Sequence, residues 1–483
     1  MSFISSLRTL RLLTGAAAVL VLSKAVTAQE LEPVYKSGGT SFWLSMEAGT
    51  QVVGEWNAFW GLSGIFNPGH RFEPTRHWYE AYAKPGVRFR QEASESITLY
   101  GGASIIASYT LRKDIFDTGD TGRALPEQAY AGITFSPAGA GLELDVSAGQ
   151  QEYRIGSGML IANGAGNGFE RGAVIFSPRR AWALATVAKA TMGPVSIDAF
   201  YLDPNELASN DTKTKLAGAK IEYSTAKDQF VGLAAFRAVK SEAPYIQAPF
   251  GGVGIPSFIL DGRDGLETLH AYGRVNPLSG ALPGFWIAVD AALQRNDRIN
   301  MSAWAARVEM GNLFADVPWA PIVSWSYQTF SGDNPNTRTL ERFDPLFYDG
   351  SPAGWVSGSN GSLVFINSNV NAHKLTLRLT PTQQDIVTLR YMHVRANELN
   401  SPIQFGQATR LASSGGAPIL VTGVPKPHLS DDFLAEYTRV LTPNAYLSFG
   451  VAYSIPGSGL ELLSPTRRLS NWSGAFANLV VRH

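Results

Sequence analysis

The chain has 483 residues, with 40 basic and 40 acidic side chains, a mean hydropathy of −0.03 and no cysteine. The missing cysteine excludes the small secreted scaffolds held by disulfides, and the balanced charge lacks the basic excess that a nucleic-acid partner calls for. No long uncharged helical stretch follows residue 28; the longest candidate, Pro244–Leu260, holds three prolines and three glycines and reads as a loop.

At the N-terminus, Arg8 and Arg11 precede an apolar run from Leu12 to Leu22, and Val26-Thr27-Ala28 puts small residues before Gln29. This is the pattern of a secretory signal peptide, because a run of 11 residues is too short to span a bilayer. The expected division is a signal peptide at 1–28 and a single domain over 29–483. Arg8, Arg11 and Lys24 leave with the signal, so 37 basic residues face 40 acidic ones in the mature chain, a net of −3.

Alternation with a period of two then recurs. Leu142, Leu144 and Val146 interleave with Glu143 and Asp145; Val195, Ile197 and Ala199 interleave with Ser196 and Asp198. Val289 and Ala291 flank Asp290, and Ala306, Val308 and Met310 flank Arg307 and Glu309. In KLTLRLTPTQQDIVTLRY (374–391), Leu375, Leu377 and Leu379 alternate with Thr376, Arg378 and Thr380. After the turn at Pro381, Leu389 and Tyr391 flank Arg390. Leu447, Phe449, Val451 and Tyr453 continue the pattern. Period two predicts strands with one apolar and one polar face. Either the leucines face a soluble core, or they face lipid while the arginines face an enclosed aqueous lumen.

The connections favour the second arrangement. Ser136–Gly141, Met192-Gly-Pro, Thr380-Pro-Thr and Thr442-Pro-Asn are compact, whereas Glu242–Gly265, Ser331–Gly361 and Ala396–Leu429 are long and rich in Gly, Pro, Ser and Asn. Short turns on one rim and long loops on the other are the arrangement of an outer-membrane barrel. The 11 Trp, 17 Tyr and 25 Phe supply aromatics near predicted strand ends, among them Trp43, Trp56, Trp60, Trp78, Trp319, Trp325, Trp355 and Trp472, where interfacial girdles lie. The fold class is therefore all-β, a transmembrane antiparallel β-barrel with long extracellular loops. Counting gives roughly 16 to 20 strands, within the range of such barrels. A lumen that wide holds water or a folded-in loop.

Chemistry has little support. There is no nucleophile elbow and no His-Glu-x-x-His, and the seven histidines (70, 77, 270, 373, 393, 428, 483) show no close pairing in sequence. No metal, cofactor or catalytic residue is expected, so the chain reads as no enzyme. Asp333-Asn-Pro-Asn-Thr lacks the glycine and spaced glutamate of a calcium loop, and Gly156-Ser-Gly with Ile161–Gly168 reads as turns. What remains is a set of cations on the predicted wet face: Lys84, Arg88, Arg90, Arg307, Arg378, Arg390 and Arg439, with Lys374 nearby. Each has a solvated reading beside a carboxylate such as Glu92, Glu309 or Glu436; together they offer planar bidentate donors to passing carboxylates.

Several stretches resemble the alginate export family of outer-membrane porins: GQQEYRIGSGMLIANG (149–164), SGDNPNTRTLERFDPLFYDG (331–350), INSNVNAHKLTLRLTP (366–381), ANELNSPIQFG (396–406) and EYTRVLTPNAYLSFGVAYSIPG (436–457). The resemblance covers most of the mature chain. It implies an 18-stranded barrel in the cell outer membrane that exports an anionic exopolysaccharide through an arginine-lined lumen, gated by loops and fed by a periplasmic scaffold lipoprotein. Carried onto this chain, the ring draws on Arg88, Arg90, Arg154, Arg378, Arg390 and Arg439, while Arg342 and Asp344 in the shared loop string are either lumen contacts or, the favoured reading, an ion pair that fixes a loop. Two departures stand out. The chain ends Val480-Val-Arg-His483 and not on an aromatic, and the near-neutral mature charge leaves room for a polymer other than alginate. The alternative function is a diffusion or uptake porin for small sugars or organic acids. The expected partners are the polysaccharide, the outer-membrane lipids and the scaffold lipoprotein.

Overall fold

The computed structural model describes residues 32–66, 71–226, 228–349, 364–403, 410–414, 417–464 and 468–483; the signal segment 1–28 and Trp355 lie outside these. Among the described residues, period-two sequence becomes 18 long strands. They are β1 (Thr40–Trp56), β2 (Arg76–Glu92), β3 (Ile97–Lys113), β4 (Gly119–Phe135), β5 (Leu142–Gln151) and β6 (Trp182–Met192). Next come β7 (Val195–Asp203), β8 (Lys215–Ala226), β9 (Gln229–Lys240), β10 (Glu267–Val275), β11 (Phe285–Asn296) and β12 (Met301–Leu313). Last are β13 (Ile322–Phe330), β14 (Val370–Leu379), β15 (Asp385–Ala396), β16 (His428–Thr442), β17 (Ala445–Pro456) and β18 (Trp472–Arg482).

Each strand pairs antiparallel with its neighbour in sequence, and β18 returns to β1 from Glu47↔Arg482 to Trp56↔Ser473. His483 and Met46 exchange backbone hydrogen bonds of 2.7 and 3.0 Å, which zips the last residue into the seam. Closure leaves the barrel no open sheet edge, so its ladder groups need no water from outside.

The faces sort as lipid would require. On β14, Leu375 is 48% exposed on the outer side, while Arg378 points inward and is only 5% exposed. Val52, Ile105, Leu233, Leu293 and Val451 continue the outer aliphatic belt; Glu47, Gln51, Asp290, Arg307 and Glu436 lie on the inner face. Burying each such aliphatic side chain in acyl chains is worth about 1.5–3 kcal/mol, so the belt belongs in a bilayer.

The four compact turns all fall on one rim. At Met192↔Val195 a two-residue turn closes through Gly193 at φ 56°, a left-handed conformation that glycine adopts without strain. The opposite rim carries the long connections 57–75, 152–181, 241–266, 331–369, 397–427 and 457–471. The run 152–181 departs from the expected turns: its glycine-rich pieces belong to one long segment that folds into the barrel. There, Phe59, Trp60, Leu160, Ile161, Trp182, Phe343, Phe365 and Leu460 build an apolar cluster inside the barrel. Trp472 stands 5.1 Å from the Phe59 ring and 5.3 Å from Trp60. Of the tryptophans expected at interfaces, Trp60, Trp78 and Trp472 are buried, whereas Trp56 and Trp319 are exposed. The folded-in loop thus fills one end of the barrel.

Candidate transport path

The inner wall is electrostatically uneven. Across β5–β8 the rungs Asp145↔Lys189, Lys189↔Asp198 and Asp198↔Lys220 alternate acid and base. Lys220 Nζ sits 3.3 Å from Asp198, and the hydroxyls of Tyr100 and Thr134 donate to Asp145 at 2.7 and 2.8 Å. Charges here are matched locally, so this wall presents little net field.

From β11 to β16 the numbers again match, Asp290, Glu309, Asp432 and Glu436 against Arg307, Lys374, Arg378 and Arg390, but the pairing is less even. Arg307 bridges Asp290 and Glu309, donating to Glu309 at 2.9 Å; His270 and Ser157 also contact Asp290, at 3.1 and 2.6 Å. Arg378 follows on β14 between Ile322 and Thr388. Its Nε and Nη1 are buried without a hydrogen-bond partner, and among the described residues it has no ion pair. On β15, Arg390 lies on the same inner face and is diagonal to Glu436 in register. Continuing around the wall, Glu47 receives Arg482 at 3.2 Å and Lys84 at 3.9 Å, and Arg90 lies 3.5 Å from Glu92, with Arg88 opposite Trp43. Arg88, Arg90, Arg378 and Arg390 all belong to the half of the barrel nearer the short-turn rim.

Two arginines sit elsewhere than expected. Arg439 is on the outer face: it shares that side with Tyr437 and Leu441, its side chain is 40% exposed, and it holds Asp385 at 2.7 and 2.8 Å. Period two from the inward Glu436 sends residue 439 outward. Arg154 is not a wall residue; it lies in the inward segment after β5, where it donates to Asp349 at 2.7 Å and to the Gly156 and Ser157 carbonyls.

The inward segments are pinned to one another and to the wall. Asp349 also receives Arg180 at 2.7 Å, and Phe347 exchanges backbone bonds with Leu160, Ala162 and Asn163. Glu80 accepts the Ile175 and Phe176 amides and Glu127 those of Arg180 and Ala181, so two wall carboxylates satisfy loop donors that burial would orphan. Asp344 is a loop-fixing residue, but its partner is Arg263 (2.7 and 3.1 Å), with Tyr245 at 2.6 Å, while Arg342 donates to Ser368 at 3.0 Å. The expected Arg342–Asp344 pair is replaced because Arg263 reaches the carboxylate in a bidentate fork.

Burial pushes the Asp344 carboxyl up, but Arg263, Tyr245 and the Leu346 amide together hold it below its usual value. A depressed carboxylate contributes stability above its unfolded value of about 3.9, and loses it as pH falls through the lower folded value. Open-channel noise should therefore stay constant from neutral pH to about pH 4 and rise below it. Asp344→Asn should show no such inflection. The carboxylate of Asp333 accepts the Glu341 and Ala248 amides at 3.0 and 2.6 Å.

Sequence reasoning missed one grouping. His393 Nδ1 lies 2.8 Å from Asp431 and His428 Nε2 lies 2.9 Å from it, with the two rings stacked at 4.7 Å. The histidines are 35 positions apart in sequence, but neighbouring strands bring them together.

With this geometry in place, comparison with known proteins is decisive at the family level. The family model for alginate export matches residues 117–423, well over half of the chain. The chain belongs to the alginate export family. Among solved structures, Pseudomonas aeruginosa OccK5 (OpdH) is similar at 9% identity and a TM-score of 0.50, covering 92% of this chain and 98% of that one. The P. aeruginosa outer membrane protein opdK gives 9% identity and a TM-score of 0.50, with 91% and 98% covered. At that identity they show the barrel fold alone. No curated protein matches. This alginate export family channel lies in the outer membrane, with the short-turn rim periplasmic and the long loops extracellular. Its family and fold are those of channels and porins.

Proposed function

We propose that this channel exports an anionic polysaccharide, with Arg88, Arg90, Arg378 and Arg390 as the first guanidinium groups a polymer meets from the periplasm. The observation that carries this reading is Arg378: it faces inward near the short-turn end of β14 and has no carboxylate partner among the described residues, so its charge is not cancelled locally. Lys84 and Arg307 flank the path but are held by Glu47 and by Asp290 with Glu309, so they set the field more than they grip. Acids such as Glu436 and Glu92, interleaved with the arginines, keep each contact weak enough to release, as conduction demands. A periplasmic scaffold lipoprotein would dock on the short-turn rim, where Phe314, Val317 and Trp319 stand exposed.

The test is single-channel current across a planar bilayer. Anionic oligosaccharides added on the periplasmic side should block the current in a length-dependent way, with several-fold tighter block by octamers than by monomers. Equal block by monomeric uronate would assign the channel to uptake of small organic acids instead.

A further inference from the structure

Outside the lumen, the extracellular ends of β15 and β16 carry a cluster of a different kind. We propose that His393, His428 and Asp431 bind one divalent transition-metal ion of the zinc class. Among the described residues they are the group of three metal-ligating side chains whose donor atoms converge, all within 4.8 Å of one another.

Three observations support the site. His393 and Asp431 are direct cross-strand partners, so the sheet fixes their separation. His428 would face the lumen if period two held through the start of β16, because Asp431 faces outward. A register shift between Val394 and Arg395 inserts an extra residue at Leu429, and this bulge turns His428 onto the face of Asp431. Gly457 leaves the space: a Cβ there would stand 2.6 Å from the His428 ring.

The donor set specifies the ion. Two imidazoles and one carboxylate suit zinc, nickel or copper, and are too few oxygens for calcium or magnesium. His393 offers Nδ1 and His428 offers Nε2 to different oxygens of Asp431. Bonds of about 2.0–2.2 Å to a tetrahedral ion set ligand atoms about 3.4 Å apart, so each nitrogen parts from its Asp431 oxygen by roughly half an ångström and the two nitrogens, within 4.8 Å of each other, close around the ion. Tyr391 Oη donates to Asp431 at 2.7 Å and orients the carboxylate from behind, as outer partners of metal ligands do. The three side chains are 27, 31 and 23% exposed, which leaves a fourth position open to water. Because Ala396 and His428 are the stems of the 397–427 connection, the ion would tie that loop at its base.

The test uses the mature full-length chain, folded in detergent and transferred to phosphatidylcholine vesicles, which present no anionic lipid to compete. Zn2+ titrated against a chelating indicator should bind at one ion per chain and raise the unfolding temperature, an effect reversed by chelator. His393→Ala, His428→Ala and Asp431→Asn should each weaken binding at least tenfold and abolish the thermal shift, whereas His373→Ala should change neither. Asp431→Asn keeps the side-chain shape, so it remains informative if a histidine variant folds poorly. Absence of stoichiometric binding by the folded wild type, or affinity within twofold of wild type in all three variants, overturns the site.

Discussion

Replacing Asp349 with alanine should enlarge the mean current and its noise without unfolding the barrel. Asp349 is 3% exposed at its side chain and receives two guanidinium groups, Arg154 and Arg180, which are 9 and 15% exposed. Removing the shared acceptor of buried cations costs about 3–5 kcal/mol, because the charges stay behind in poor solvent. The lower figure applies here, since Arg180 retains some water. A penalty of about 3 kcal/mol shifts the docked-to-released ratio of the inward segments roughly a hundredfold. The wall ladder does not pass through Asp349, so the temperature of global unfolding should move little. Arg154→Met alone should have a smaller effect, because Arg180 still holds the carboxylate. Unchanged current and noise in Asp349→Ala would show that the backbone bonds of Phe347 to Leu160, Ala162 and Asn163 suffice to hold the plug.

Parity along a strand was readable from sequence; depth was not. Leu375 with Arg378 and Leu389 with Arg390 sort onto opposite faces because each apolar residue has a polar neighbour and a one-residue slip would invert both sets. The same rule, applied from Glu436 through Thr438, places Arg439 outward beside Tyr437. Reading that arginine by type and not by phase put it in the lumen. Arg154 lies just beyond the end of β5, where the two-residue period has stopped and nothing local says that the chain turns inward. Asp344 illustrates the harder limit: Arg342 is two residues away, yet Arg263, from a different loop, holds the carboxylate. Long-range ion pairs depend on how separate loops pack, and one sequence carries no record of it. The His393–His428–Asp431 grouping was hidden for a related reason, since a bulge breaks the parity that would otherwise separate its members.

Charge reversal at Arg378 and Arg390 together should convert the periplasmic half of the path from one that draws anions to one that repels them. Each Arg→Glu exchange changes the inner wall by two charge units, and both side chains lie on the inward face of adjacent strands. In a salt gradient the reversal potential should move toward cation preference, and the concentration of anionic octasaccharide needed for half-block should rise at least tenfold, about 1.4 kcal/mol. The difference should fade at about 1 M salt, where the screening length falls to about 3 Å. Arg378→Gln with Arg390→Gln removes the attraction without adding repulsion and should fall between wild type and the double reversal. Arg439→Glu provides the decisive control, because it changes the total charge in the same direction from the opposite side of the wall. If that variant matched the double reversal, the block would be reporting the field of the whole barrel and not guanidinium groups aimed into its bore.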